Sequence, residues 1–242
     1  MANKTVSRRR ALLIGSPLNL SATDNDLDSI QRVLQLHQFS TTKCCREGET
    51  KHPATRKGIF DAIDAFTKDT QKDDAVILYY SGHGNIAERA DTNLQDQQGN
   101  KTALNRRRLQ FIVPLDFIDN VNGNSFKGIT DFELSHKLVT LSHKTSNITL
   151  ILDCCHSTHM ARAGANVKSL NFDDYPWIAA HIRNTIDAGH FTEPLWSLGN
   201  PSVVRIAAAE ATEPAYEDNI QSTPQVPKKR KSVLTEALVE AL

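Results

Sequence analysis

Apolar residues fall into short unbroken runs, separated by stretches in which they recur every three to four positions. Residues 11–14 (ALLI), 75–80 (AVILYY) and 148–152 (ITLIL) are runs of the first kind, each bounded by polar or turn-forming residues. A fourth, 203–209, is diluted by alanines. A strand covered on both faces reads as one continuous apolar run, so all four are predicted as buried strands. Residues 39–44 alternate weakly and are predicted nearer a sheet edge. Residues 109–113, stopping at Pro114, form a further short strand. The intervening stretches are helical in period. Residues 24–36 put Leu27, Ile30, Val33 and Leu34 on one face, and 55–66 do the same with Ile59, Ala62, Ile63 and Phe66. Residues 130–141 align Leu134, Leu138 and Leu141, and 232–242 align Leu234, Leu238 and Leu242. Strands alternating with helices predict an α/β fold, with a mainly parallel central sheet flanked by helices on both faces.

Three intervals break this rhythm. Residues 84–108 are polar and rich in Asp, Gln and Asn, residues 158–202 carry few strong patterns beyond a helical segment near 178–186, and 218–231 contain Pro224, Pro227 and the basic run 228–231. Long loops in a compact domain are usually an active-site rim or a cleavable segment. No internal repeat is present.

Composition narrows the classes. The chain has 242 residues, with 28 Lys and Arg against 28 Asp and Glu, 39% hydrophobic and 23% charged residues. This is a globular composition with room for a real core. Zero formal charge argues against nucleic-acid binding as the main task. No apolar run approaches the ~20 residues of a membrane span. The N-terminus has a basic start but neither a long apolar stretch nor a cleavage site. Four cysteines form two adjacent pairs, Cys44–Cys45 and Cys154–Cys155, without CxxC spacing. That pattern carries neither a disulfide framework nor a zinc site, and a reducing cytosolic setting is expected. The first pair reads as packing residues.

Ligand sites of open parallel sheets lie off the carboxyl ends of the strands. One run is followed by Ser81-Gly82-His83-Gly84, another by Asp153-Cys154-Cys155-His156. A cysteine and a histidine at neighbouring strand ends are what a thiol nucleophile needs, because the imidazole can take the thiol proton and return it to a leaving amine. Gly82 and Gly84 allow close backbone approach, and the Gly84 N–H is a candidate oxyanion donor. Side chains alternate along a strand. Extending that count puts Asp153 and Cys155 on one face with Ser81 and His83, and turns Cys154 away. His156 alternates away too and reads as a structural hydrogen-bonding group. Asp26, just past the first strand, is a second acid for the same pocket. Two carboxylates and a hydroxyl around one pocket favour an Arg or Lys side chain.

These motifs resemble the metacaspase branch of the caspase-like cysteine peptidases, particularly its fungal members. Residues 20–26 (LSATDND) resemble the family's Leu-x-Gly-Cys-x-Asn-Asp segment, 203–217 its fifth-strand segment, and 234–242 the helix after it. The resemblance implies a caspase-like fold in a single domain over 1–242. A large-subunit-like part would cover about 1–160, a linker loop 158–202 and a small-subunit-like part about 203–242. It implies Cys155 as nucleophile, His83 as its partner, Gly84 and Cys155 N–H groups for the oxyanion, and Asp26, Ser81 and Asp153 as the pocket for a basic P1 residue. Substrates would be proteins or peptides, without cofactor, nucleic acid or membrane, and the chain would be a monomer. The linker, with Arg162, Lys168 and Arg183, would allow self-processing.

The sequence departs from the family pattern in places. Thr158 replaces a glycine, and Ala22-Thr23 replace Gly-Cys. Asp116 and Asp131 match two acids of the family's calcium cluster, but Thr130 and Arg162 stand where the pattern has acids. Two carboxylates are fewer than a calcium ion wants. The sequence stops at Leu242, on the helix that precedes a sixth strand in the family, so either a truncated chain or a differently built sheet edge is expected. These departures keep a second reading open, a caspase-like domain that signals by association without cleaving. The 228–231 run reads as a solvated loop, with a nuclear signal or a self-cleavage site as alternatives.

Overall fold

Covering both faces of an apolar strand requires helices above and below it, and the chain supplies them. The computed structural model describes residues 7–88, 108–117, 126–155, 166–167, 181, 184, 203–209, 215–220 and 229–242. In chain order the elements are β1 (Arg9–Ser16), α1 (Thr23–Leu36), β2 (Ser40–Cys44), α2 (Arg56–Asp69), β3 (Ala75–Gly82), β4 (Gly84–Glu88), β5 (Arg108–Ile112) and β6 (Ile129–Thr130). They continue with α3 (Asp131–Ser142), β7 (Asn147–Asp153), β8 (Asn166–Val167), β9 (Val203–Ala207), β10 (Tyr216–Ile220), β11 (Lys229–Ser232) and α4 (Val233–Ala241).

The central sheet has the order β2-β1-β3-β7-β9 and every pairing in it is parallel. Alternation divides its side chains between two cores. Leu12, Ile14, Val76, Leu78, Tyr80, Ile148 and Leu150 pack with Ile59, Ile63 and Phe66 of α2 and with Leu134, Leu138 and Leu141 of α3. Ala11, Leu13, Tyr79 and Ile151 face the other way, onto Leu27, Ile30 and Leu34 of α1, with Leu234 and Leu238 of α4 packed against them. Burial on both faces is the reason the runs are unbroken in sequence. Helix starts are set locally. Thr55 accepts the Gly58 N–H ahead of α2, and Thr130 with Glu133 forms a capping box at α3. Among the described residues no helix is long and apolar enough to cross a membrane.

The predicted strands and helices that fall on described residues are present with ends shifted by a few residues, and the helical segment near 178–186 lies largely outside them. The reading of 203–209 as a buried strand is corrected: β9 ends the sheet order and its residues are half-buried or exposed, Val204 at 61%. Several polar strands were not expected. β4 opens the interval 84–108 and pairs with β5, which in turn pairs with β6. β10 and β11 form an antiparallel ladder, with β8 on the other side of β10. The reading of 228–231 as a solvated loop is therefore corrected for residues 229–231, which lie in β11. Arg230 and Lys231 are half-buried, the Arg230 carbonyl accepts from Asn25, and the Lys231 ammonium meets Glu236 at 2.5 Å. A third correction concerns Leu242, expected on the buried stripe of the last helix but 56% exposed.

Candidate active site

The sheet register assembles the site at one end. Ser81 of β3 lies between Gly15 of β1 and Asp153 of β7. His83 and Cys155 each follow their strand's member of that row by two residues. A Cβ built on Gly84 would stand 2.2 Å from the Cys155 carbonyl oxygen. The backbones after β3 and β7 therefore touch, and only glycine permits it. The expected use of Gly84 was close approach to a substrate carbonyl. In the structure the carbonyl it meets is that of Cys155.

The two adjacent cysteines separate as alternation predicts. Cys154 belongs to the core under α2 and α3. Cys155 instead accepts a hydrogen bond on Sγ from the Ala215 N–H, at 3.1 Å, from the residue before β10. Cys155 is 0% exposed and His83 4%. The His83 carbonyl accepts from the Tyr80 hydroxyl at 2.8 Å and from the Val113 N–H at 3.0 Å, which ties the turn to the residue after β5.

A group of buried carboxylates lies beside this pair, on the α1 and α4 side. Asp26 accepts from the Ser81 hydroxyl at 2.8 Å, from the Ser232 N–H at 2.8 Å, and from the Ser232 hydroxyl. Asp153 accepts from the Thr235 hydroxyl at 2.5 Å, and Thr235 also meets the Tyr79 hydroxyl at 2.5 Å. Burial, reinforced by the charges of Asp153 and Asp26, pushes the Tyr79 phenol well above its ordinary pKa. Asp26, Ser81 and Asp153 thus come together, Ser81 bonded to Asp26 and level with Asp153 in the sheet, all of them buried. Glu217 of β10 is a further buried acid that the sequence did not single out. It accepts the Ala22 N–H at 3.1 Å, one helical turn from Asp26, and stands opposite Ser232 in the β10–β11 ladder. Ala215, Ser232, Thr235 and Tyr79 were also missed. Only the placement of Ser232 and Thr235, three apart at the start of a predicted helix, could have drawn attention to them. His156, Thr158, Arg162, Lys168 and Arg183 lie outside the described residues.

The two acids matching a calcium cluster have other partners. Asp116 accepts the Arg56 N–H at 2.8 Å and pairs with the Lys127 ammonium at 3.0 Å. The Asp131 carboxylate accepts the Phe132 N–H at the start of α3, and neighbouring Thr130 caps that helix. Among the described residues no three His, Cys, Asp or Glu side chains are grouped to hold a metal. The Lys127 ammonium is thus the charge partner of Asp116 among the described residues. Cys44 and Cys45 pack as expected. Burial, with a smaller contribution from Cys45, pushes the Cys44 thiol up to about 12. Cys45 lies in the α1 core and reaches Glu49 at 3.5 Å.

Comparison with known proteins bears on the family and the fold. The family model "Metacaspase, peptidase C14 domain" matches residues 9–163. The chain is similar to Metacaspase-1 of Lodderomyces elongisporus, with 30% identity over 159 residues, 62% of this chain and 33% of that protein. Metacaspase-1 of Candida albicans matches at 29% over 159 residues, 62% and 33%. Inactive metacaspase-4 of Trypanosoma brucei brucei matches at 30% over 163 residues, 62% of this chain and 41% of that protein. The matched region is thus well under half the length of each of these relatives. The crystal structure of protein GSU0716 from Geobacter sulfurreducens shares the fold, with a TM-score of 0.55 at 15% identity, covering 97% of this chain and 81% of that one. With a parallel five-stranded sheet between helices and a family model matched over 9–163, the chain belongs to the metacaspase family of caspase-like cysteine peptidases.

Proposed function

We propose that the chain is a cysteine endopeptidase that cuts after Arg or Lys, with Cys155 as nucleophile and His83 as its proton partner. The observation that carries this reading is the contact between the His83–Gly84 turn and Cys155 at adjacent strand ends, beside buried carboxylates. The Cys155 thiol gives its proton to the His83 imidazole, and the sulfur forms a bond to the scissile carbonyl carbon. The Ala215 N–H, at 3.1 Å from the Cys155 sulfur, holds that sulfur in place at the end of β7. Charge developing on the carbonyl oxygen is met by the N–H groups of Gly84 and Cys155. The imidazolium then protonates the amine as the C–N bond breaks, leaving a thioester. Water hydrolyses that thioester to a carboxylic acid and restores the thiol. Asp26 and Asp153, with Ser81, supply the negative charge that holds a P1 guanidinium or ammonium.

Paired fluorogenic peptides ending in Arg and in Asp test this reading. Wild type hydrolyses the Arg peptide and leaves the Asp peptide intact, and Cys155→Ala abolishes the activity. Equal cleavage of both peptides overturns the pocket assignment. A second reading, a domain that associates without cleaving, is favoured by the complete burial of Cys155 and by the likeness to a protein named Inactive metacaspase-4. Failure of wild type to react with a thiol-directed probe bearing a basic P1 group would select it. Self-processing within 158–202 belongs to the first reading. Intact mass spectra of wild type against Cys155→Ala test it, and identical fragments in both samples would reject it.

A further inference from the structure

Helix N-caps with a Ser side chain ordinarily spend the hydroxyl on the helix's own second or third N–H. Ser232, the N-cap of α4, makes no such bond. Its hydroxyl and its N–H both go to Asp26. Thr235, one turn further on, is equally turned away from solvent and gives its hydroxyl to Asp153 Oδ2, while the Tyr79 hydroxyl meets the Thr235 oxygen. Because the Thr235 proton is committed to the carboxylate, the Tyr79 proton points at Thr235. This orders a chain of donors from Tyr79 through Thr235 to Asp153. Both residues are fully buried, so the bonds face no competition from water.

We propose that Ser232, the N-cap of α4, and Thr235 in its first turn are positioning residues for substrate selection, fixing the orientation of the Asp26 and Asp153 carboxylates so that both face a P1 cation. This inference rests on the peptidase reading above and adds the C-terminal helix to the specificity pocket. A guanidinium fork gains its second bond only when the carboxylate plane is held. A carboxylate free to turn would retain its charge and lose that geometry. The reacting atoms are untouched, so the effect falls on binding of the basic residue and leaves thiol reactivity unchanged.

The experiment compares Thr235→Val, Thr235→Ser and Ser232→Ala with wild type on an Arg-ended fluorogenic peptide, alongside the alkylation rate of Cys155 by iodoacetamide. Val has the shape of Thr without the hydroxyl, and Ser keeps the hydroxyl. Thr235→Val is expected to raise KM about tenfold, the loss of one hydrogen bond to a charged group, with little change in kcat. Thr235→Ser restores KM, Ser232→Ala raises it through Asp26, and Cys155 alkylates at the wild-type rate in all three. An active wild type whose KM is unmoved by Thr235→Val and Ser232→Ala overturns the inference and leaves the peptidase reading standing. Equal impairment in Thr235→Val and Thr235→Ser also overturns it, because a packing role does not distinguish the hydroxyl. A wild type that cleaves no Arg-ended peptide overturns the peptidase reading and the inference with it.

Discussion

Replacing Glu133 by Gln removes one buried charge and almost nothing else. Glu133 closes the capping box of α3, and its carboxylate also takes the Arg56 guanidinium of α2 and the His181 imidazole at 3.2 Å. Burial alone would raise its pKa. Hydrogen bonds from His181 and Arg56, together with their charges, outweigh burial and hold the carboxyl at about 2 against the usual 4.5. That depression is worth up to about 3 kcal/mol of stability. The folded pKa lies below the unfolded one, so the contribution is complete above about pH 5 and is lost as pH falls through about 2. Glu133→Gln should therefore lower stability by about 3 kcal/mol at pH 7, with a gap that narrows as acid protonates the wild-type carboxylate. Urea unfolding at pH 7, 5 and 3 measures it. Any constant cost from leaving Arg56 short of a partner is common to all three pH values, so the pH-dependent part is diagnostic. A wild-type to variant difference that stays the same from pH 7 to pH 3 would refute the electrostatic account of this cluster.

Three further outcomes are expected. Cys154→Ala keeps hydrolysis of the Arg peptide and costs about 1 kcal/mol of packing in the α2–α3 core, read as a modest fall in Tm. Loss of activity comparable to Cys155→Ala would contradict the division of the two cysteines between faces. Gly84→Ala forces a methyl group into the Cys155 carbonyl, so activity falls on the order of 100-fold while circular dichroism stays native. Near-normal turnover in that variant would mean the two segments need not touch for catalysis. Calcium added to wild type should leave Tm unmoved and peptide hydrolysis within about twofold, since Lys127 is already paired with Asp116. A matched rise in both would show that the ammonium gives way to the metal.

The chemistry-bearing ends of β3 and β7 were legible because three signals coincided in short windows. An apolar run marked each strand, alternation gave the parity, and the residues that follow are the types thiol chemistry requires. The parity argument separated Cys154 from Cys155 from the order of residues alone, and the contacts of the two sulfurs differ accordingly. The polar strands were illegible for the complementary reason. The β11 sequence, KRKS, has no apolar face, and its extended form depends on the ladder to β10. Likewise, nothing around residue 84 marks β4, whose partner β5 begins twenty-four positions later in the chain.

Local pattern by itself determined the sandwich of helices about a parallel sheet, because burial on two faces must be written as unbroken apolar runs and one-sided helices. It also determined which strand ends carry sulfur and imidazole. Only the tertiary structure decided which donors meet the buried carboxylates. Asp26 finds Ser232 across 206 positions, Glu217 finds Ala22 across 195, and Asp153 finds Thr235 across 82. Hydrogen bonds between such distant residues leave no periodic trace. They exist because a buried carboxylate has to be satisfied by whichever donors the packing of α1, β10, β11 and α4 brings against it.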